Sequence, residues 1–493
     1  MNIAVIGGGP AAVLLLDALA QAVGSLPEGE VTVFDCGRHL WRGRAYQRDT
    51  DEVLVNHVPQ DMSVRIGDPD HFPRWLNAHG NTGDADTADG WYPSRTLAGD
   101  YFADSAREAI ARLTAHGRPV RVIADQVTGV ELAGDTTYLL TRSGGRHAAD
   151  RVVLTPGGGT PPDAYGLAAA PHYIADPYPL SDTLAALDPT AHVAVVGSGL
   201  TGVDVALALR ARDHRGPVTF LSRSGALPAV RQRRARLTLT HLTAEKADER
   251  AAGGTLTLTD IVELARAELG LSTEEFEEFG RQLTLAASPL TDLKSQLDAA
   301  DSPDTRLRTL QFAARAVGQD LWYLLDDEGK AALLASHQRL LLSRCCPMPP
   351  ANARKLLAMH ESGHLHIRDR LVDITPLSGG TFSVETADDS FTVDAVINAM
   401  NTPVKRSSGA AREITDALVA AGVAEPHPSG GLRIERHSSR LQRDGRADRR
   451  FFAFGDITSG AVFFTFGIPV MQLQVERILA ALVAECRTAG PRT

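Results

Sequence analysis

The chain opens on "IAVIGGGPAAVLLLDALA", an apolar β-branched run, a glycine cluster and a second apolar run with helical spacing. The same pattern returns at "VAVVGSGLTGVDVALALR". A β-branched run before glycines reads as a buried strand, and the periodic run after them as a helix packed on it. "EVTVFDCG" extends the first unit by another strand, and "PVTFLSRSG" extends the second. Between them, "YFADSAREAIARL" predicts a helix, "PVRVIA" and "TTYLLTRS" predict short strands, and "RVVLTPGGGTPP" a buried strand ending in a turn. The texture then changes: "LTDIVELARAEL", "TRLRTLQFAARAV" and "KAALLASHQRLLL" have helical spacing throughout and predict a helical insertion. Short strands resume in "HLHIRD", "FSVETA" and "FTVDAVINAM", and the chain closes on "RRFFAFGDITSG" and a helix, "MQLQVERILAALVAE".

The repeated unit carries chemistry. Gly7, Gly9 and Ala12 match G-x-G-x-x-G/A: the first permits a tight turn, the second lets a pyrophosphate approach the backbone, and the third lets the helix sit close to the sheet. The helix N-terminus, with Pro10 and Ala11, then offers free N–H groups and a positive dipole end to phosphate. The next strand ends in Asp35, an acid placed to accept hydrogen bonds from a free ribose. The alternative is a glycine turn with no ligand. In the second unit Gly197, Gly199 and Gly202 frame Leu200 and Thr201, but the following strand ends in Ser222 and Arg223. An acid there would repel a 2′-phosphate, whereas a hydroxyl and a guanidinium bind it. The expectation is FAD in the first cradle and NADPH in the second, with a surface arginine as the bland reading of Arg223.

The predicted fold class is therefore α/β, two Rossmann-like dinucleotide-binding domains (FAD and NADPH) with a helical insertion. The expected boundaries are 1–180 and 406–493 for the FAD domain, 181–240 and 361–405 for the NADPH domain, and 241–360 for the insertion. A length of 493 residues accommodates that many domains. The net charge of -10 argues against a nucleic-acid partner, which would call for basic patches. Apolar runs stop well short of the roughly twenty residues a membrane span needs. The first residues enter a strand without a basic stretch, so no secretory leader and a cytoplasmic location are expected. Cys36, Cys345, Cys346 and Cys486 form no C-x-x-C pair.

With these units in hand, the chain resembles the two-dinucleotide-binding-domain flavoproteins, which include class B flavin monooxygenases and glutathione-reductase-like enzymes. It is most similar to bacterial FAD/NAD(P)-binding proteins that carry a stretch like "GRAYQRDTDEVLVNHVPQDMS", followed by "DPDHFPRWL" and "YPSRTLAGDY". The resemblance implies that Arg42 and Arg44 lie beside the FAD phosphates, against a bland reading as solvated arginines. It also implies that Asn56, Gln60 and Met62 lie near the isoalloxazine, Asn56 being the candidate catalytic side chain. Thr155, Pro156 and Gly157 resemble the strand end that returns the chain between domains, and "DAVINAMNTP" at 394–403 its counterpart in the second. Gly455 and Asp456 resemble the G-D motif that touches the flavin ribityl or phosphate, Asp456 alternatively capping a helix. "GIPVMQLQ" would start a helix aimed at the flavin.

Arg65 could grip a substrate carboxylate or stand on the surface. The run "RQRRAR", Arg231 to Arg236, reads as a solvated face unless Arg231 and Arg234 reach a 2′-phosphate or an anionic substrate. Phe72 and Trp75 read as core anchors. His360, His364 and His366 lack a neighbouring fourth ligand, so no metal is expected. Without a cysteine pair, disulfide reduction is nearly excluded. What the resemblance leaves is a monooxygenase using NADPH, molecular oxygen and a C4a-peroxyflavin. The F-x-G-x-x-x-H-x-x-x-Y/W signature is missing, while His172 and Tyr178 resemble the H-S-S-x-Y segment of N-hydroxylating members. N-hydroxylation of an amine or amino acid, aspartate among them, is the leading expectation. The alternatives are electron transfer from NADPH to a quinone or protein acceptor, and a non-catalytic redox sensor. A homo-oligomer is compatible with all three.

Overall fold

The computed structural model describes residues 1–83, 90–134, 136–284, 288–400 and 408–488. Its organising feature is a pair of parallel sheets, each built around one glycine unit. In the first, Ile3–Ile6 lies between Val31–Phe34 and Arg151–Leu154, with Val120–Ile123 and Arg446–Ala453 outside them, all parallel. Arg440–Arg443 closes one edge antiparallel. In the second sheet Val193–Val196 lies between Val218–Leu221 and Ala395–Asn398, with Leu365–Arg368 and Tyr173–Ile174 at the edges, again parallel. The central strands are buried on both faces, which explains why they read as unbroken β-branched runs. Each unit also carries a three-stranded antiparallel meander, starting at Val127–Ala133 in the first and Leu371–Pro376 in the second.

The helix Pro10–Gln21 packs against Arg95–Ala115 and the closing helix Ile468–Thr488, and its leucines join Phe102 and Ile478 in the largest core. The helical segment has a smaller core of its own around Leu242, Leu256, Ala313 and Leu321. Its helices start where short polar side chains cap them: Thr257 with Asp260 and Ser272 with Glu275 form reciprocal capping boxes.

The α/β class and two Rossmann-like units are as the sequence predicts; two expected boundaries shift. Tyr173–Ile174 already pairs with the second sheet, so the chain has crossed over before 180. The helix Pro350–Glu361 packs on Leu200–Ala211 and leads into Leu365–Arg368. It is thus the crossover helix of the second unit, not part of the insertion. Of "DAVINAMNTP", residues 401–403 lie outside the described residues.

Buried polar ties bolt the two units together. Arg95, at the start of a helix of the first unit, pairs with Asp204 of the second unit at 2.7 Å and donates to the Tyr178 hydroxyl at 3.0 Å. That hydroxyl in turn donates to Asp204. Asp49 accepts from the backbone N–H groups of Leu180 and Ser181, both at 2.8 Å.

Candidate active site

Both glycine turns sit at the C-terminal end of the central strand of their sheet, where parallel α/β folds bind ligands. In the first, Gly7 has φ +106°, and a Cβ built on it would lie 2.2 Å from the Thr155 carbonyl oxygen. Gly9 plays a different part: a Cβ there would meet only the Gly43 Cα, at 3.8 Å. Ala12 is fully buried under the helix, whereas Pro10 and Ala11 remain half-exposed at its mouth. Asp35 accepts from the N–H groups of Gly8 and Gly37, each at 2.6 Å, which leaves the outer lone pairs of a partly exposed carboxylate for a ribose.

The same cleft continues through Gly158, where a Cβ would lie 2.7 Å from Asp456 Oδ2. Asp456 is exposed to the cleft although protein surrounds it, and burial raises its carboxyl above the usual range. It accepts from Thr465 Oγ1 at 3.1 Å and caps no helix; Gly455 stands at that position. Beyond it, Gly467 opens the helix Ile468–Thr488, whose Gln472 donates to the Ser63 carbonyl at 2.9 Å. The stretch 56–63 is thereby held against the positive end of that helix. Asn56 is half-buried there, and Gln60 Oε1 is buried with no hydrogen-bond partner, an acceptor in want of a donor.

In the second turn a Cβ on Gly197 would meet the Ala399 carbonyl oxygen at 2.8 Å, and one on Gly202 would meet the Gly197 carbonyl oxygen at 2.3 Å. A Cβ on Gly199 would meet nothing within 4 Å. Leu200 and Thr201 open the helix behind it. Ser222 Oγ accepts from the Gly225 N–H at 2.9 Å, at the rim of a cavity of about 290 Å³ lined by Ser224, Leu227, His366 and Arg368. Arg223 is exposed and, among the described residues, has no acidic partner. Its charge bears instead on Arg339 from the helix Gln338–Cys345, lowering the pKa of that arginine after burial has done so. Two arginines whose charges act on each other, with no acid paired to either among the described residues, suit a phosphate, and nothing in the sequence pattern singled out Arg339.

Part of the arginine run reaches across to the first unit. Arg231 N–H donates to the Met348 carbonyl at 2.9 Å, and its side-chain charge acts on His57 and Asp61 of the first unit. Arg315, from the insertion, donates to Asp61 at 3.0 Å and touches His57 Nδ1 at 3.5 Å. Arg234 stands 3.7 Å from Asp61. Burial and the Arg231 charge push His57 down to about 4, so the ring is neutral at pH 7. Burial alone would raise Asp61, yet His57, Arg315 and Arg231 hold it well below the usual carboxylate range. Burial and the charge of Arg315 draw Arg231 down to about 10, still cationic at neutral pH. Nε and Nη2 of Arg231 are buried with no hydrogen-bond partner.

Several other side chains are committed elsewhere. Arg65 is neither a substrate grip nor a free surface group: it clamps the fully buried Asp17 at 3.0 Å and Glu108 at 2.9 Å. Met62 lies in the main core, 1% exposed. Arg44 holds Asp176 through Nε and Nη2, at 2.8 and 2.7 Å. Arg42 pairs with Asp100, leaving Nη1 buried without a partner. Neither is simply solvated. Phe72 is fully buried, and Trp75 is half-buried beside it. His360 Nδ1 lies 3.0 Å from the Leu365 carbonyl and His364 Nδ1 3.0 Å from Ser362 Oγ; among the described residues no cluster of metal-ligating side chains forms. Burial pushes the Cys345 thiol up to about 12 and Cys346 higher still. No described helix is long and apolar enough to cross a membrane.

A family model described as FAD-NAD(P)-binding matches residues 4–159. No curated protein matches the chain. Among solved structures, ornithine hydroxylase from Pseudomonas aeruginosa is similar over 98% of both chains, at 15% identity and a TM-score of 0.58. L-lysine 6-monooxygenase from Pseudomonas syringae covers 97% of this chain and 98% of its own, at 17% identity and a TM-score of 0.56. Bacillithiol disulfide reductase from Staphylococcus aureus covers 98% of both, at 12% identity and a TM-score of 0.51. The shared property is the fold, a pair of dinucleotide-binding units, and it spans more than one chemistry.

Proposed function

We propose that the protein is an FAD- and NADPH-dependent monooxygenase that N-hydroxylates a small amine or amino acid, aspartate being one candidate. The observation that carries this reading is the pair of cradles, each with a glycine kept clear for a ligand, Gly9 and Gly199. One has an acid at its strand end and the other a serine and an arginine. The 56–63 stretch receives Gln472 from the closing helix, Arg234 from the chain after the second cradle and Arg315 from the insertion. Bound FAD would supply a ring able to take hydride from NADPH and to activate oxygen.

The chain's own part is to hold and to shield. Gly7–Ala12, Asp35 and Asp456 would hold FAD, with Arg42 Nη1 and Gln60 Oε1 as unpaired groups along its path. Gly197–Gly202, Ser222 and Arg223 would hold NADPH. Phe463 packs on Trp322 of the insertion, with ring centroids 4.7 Å apart, and Phe464 stands edge-on to Phe463. This aromatic wall beside Asp456 would keep water from the reaction. Raised thiol pKa values leave Cys345 and Cys346 poor thiolates, which disfavours disulfide chemistry. The likeness in fold to a lysine and an ornithine hydroxylase over nearly the whole chain makes N-hydroxylation the first reaction to try.

The test is to add NADPH to the flavin-loaded protein in air and follow NADPH and oxygen with and without amines and amino acids. Oxygen uptake that depends on one of them, with a hydroxylamine or its oxidised product formed, is the expected result. A flavin that NADPH reduces but only quinones reoxidise would replace the reading by electron transfer. A flavin that NADPH never bleaches would remove catalysis altogether. The attacking amine must be neutral, so the rate should climb from about pH 6 to 9.

A further inference from the structure

We propose that Arg231 and Arg315 form a carboxylate-binding subsite between the two cradles, so that the substrate carries a carboxylate, with dicarboxylates preferred; this rests on the amine-oxidising reading above. The Nε–H and Nη2–H groups of Arg231 lie on one edge of the guanidinium. Arg44 turns that same edge on Asp176, with bonds of 2.8 and 2.7 Å. In Arg231 both nitrogens are buried and have no hydrogen-bond partner. A bidentate edge of this kind fits the two oxygens of a carboxylate, and leaving it empty and out of water is costly.

Among the described residues no protein group fills the edge. Asp61 is the acid of the cluster, and it is taken by Arg315 at 3.0 Å and approached by Arg234 at 3.7 Å. His57 adds no charge at neutral pH. Two arginines thus pair with one carboxylate and the charge of a third, Arg231, acts on it as well, an excess of two positive charges. The monocarboxylate it could take would leave one charge over; a dicarboxylate leaves none.

The position suits a substrate. Arg231 hangs on the segment whose Ala226 carbonyl accepts from Ser198, between the glycines of the second cradle, at 2.7 Å. Its neighbour His57 lies beside the N-terminal end of the helix aimed at the first cradle, 3.9 Å from a Cβ built on Gly467. Arg315 comes from the helical insertion, which gives that segment a role in the site.

Equilibrium dialysis of the flavin-loaded protein against radiolabelled succinate, acetate and putrescine tests the subsite directly. Succinate should bind saturably, acetate more weakly and putrescine not at all. Arg231→Lys keeps the charge but not the two-pronged edge and should weaken succinate at least tenfold; Arg315→Lys should weaken it too, and thermal melts report whether each variant is folded. Succinate bound equally by wild type and a folded Arg231→Lys, putrescine bound in place of succinate, or succinate displaced by saturating NADP+ would each overturn the proposal, the last by assigning the edge to the nucleotide. If wild-type flavin is bleached by NADPH yet succinate does not bind, the subsite alone fails. If the flavin is not bleached, the catalytic reading fails with it.

Discussion

Two glycines of the second cradle, three residues apart, should respond oppositely to the same added methyl group. Gly199 has φ -79° and ψ -168°, which any residue adopts, and its Cβ would meet nothing within 4 Å. In Gly199→Ala the entropic gain of about 0.4–1 kcal/mol is offset by a poorer helix cap of similar size. The melting temperature of the nucleotide-free protein should therefore hardly change. The methyl instead stands where a pyrophosphate would approach the helix N-terminus. Losing one charge-assisted hydrogen bond costs about 1.5–3 kcal/mol, or roughly 10- to 150-fold in the Kd for NADPH. In Gly202→Ala the methyl would lie 2.3 Å from the Gly197 carbonyl oxygen. Relief requires the helix to move by about 1 Å, since a comfortable C···O contact is near 3.3 Å. Overpacking of that kind costs about 1–3 kcal/mol, and better helix propensity returns at most about 1. At about 2–4 °C per kcal/mol, melting should fall by several degrees. Circular-dichroism melts and NADPH titration of flavin reduction measure the two effects. An unchanged NADPH affinity in Gly199→Ala, or an undisturbed melt in Gly202→Ala, would refute the division of labour.

Three further outcomes are expected. Arg223→Ala should raise the NADPH Kd by about 10- to 150-fold, the size of one charged hydrogen bond, and leave flavin content unchanged; unaltered NADPH binding would show that the second cradle has been misread. Arg95→Met strands Asp204 in the interface between units and should cost about 3–5 kcal/mol in urea unfolding, most of it regained when Asp204→Leu is added; a loss within error would mean the bolt carries no load. His57 stays neutral in the folded state down to about pH 4, whereas the unfolded chain protonates near 6.5. The unfolded state therefore binds more protons below 6.5, and stability should fall by up to about 3 kcal/mol as the pH drops from 6.5 to 4. His57→Asn should flatten that slope, and parallel urea-midpoint curves for the two proteins would contradict it.

The cradles were legible in the sequence because each glycine motif and the helix it opens lie within a few residues, although the carbonyls that crowd Gly7 and Gly197, those of Thr155 and Ala399, come from far along the chain. The strand-end acid and the Ser222–Arg223 pair are equally local. The arginines were not legible, because what a guanidinium does depends on which remote acid reaches it. Arg231 read as one of a solvated run unless it reached a 2′-phosphate or an anionic substrate, and only the fold brings its charge to bear on Asp61 and on Arg315, which lies 254 positions along the chain from that aspartate. Arg65 read as a ligand grip, yet a signal against this stood in the first helix. Asp17 interrupts "LLLDALA", and an acid in the middle of an apolar helix facing a core must find a cation. Asp204 in "VDVALAL" makes the same demand, and Arg95 answers it. Pairing each isolated acid in an apolar helix with a cation first would have removed Arg65 from the pool of ligand candidates. The arginines left without an acid are then the ones to suspect of serving a ligand, and among the described ones Arg231 stands out because two of its nitrogens are also buried without a partner.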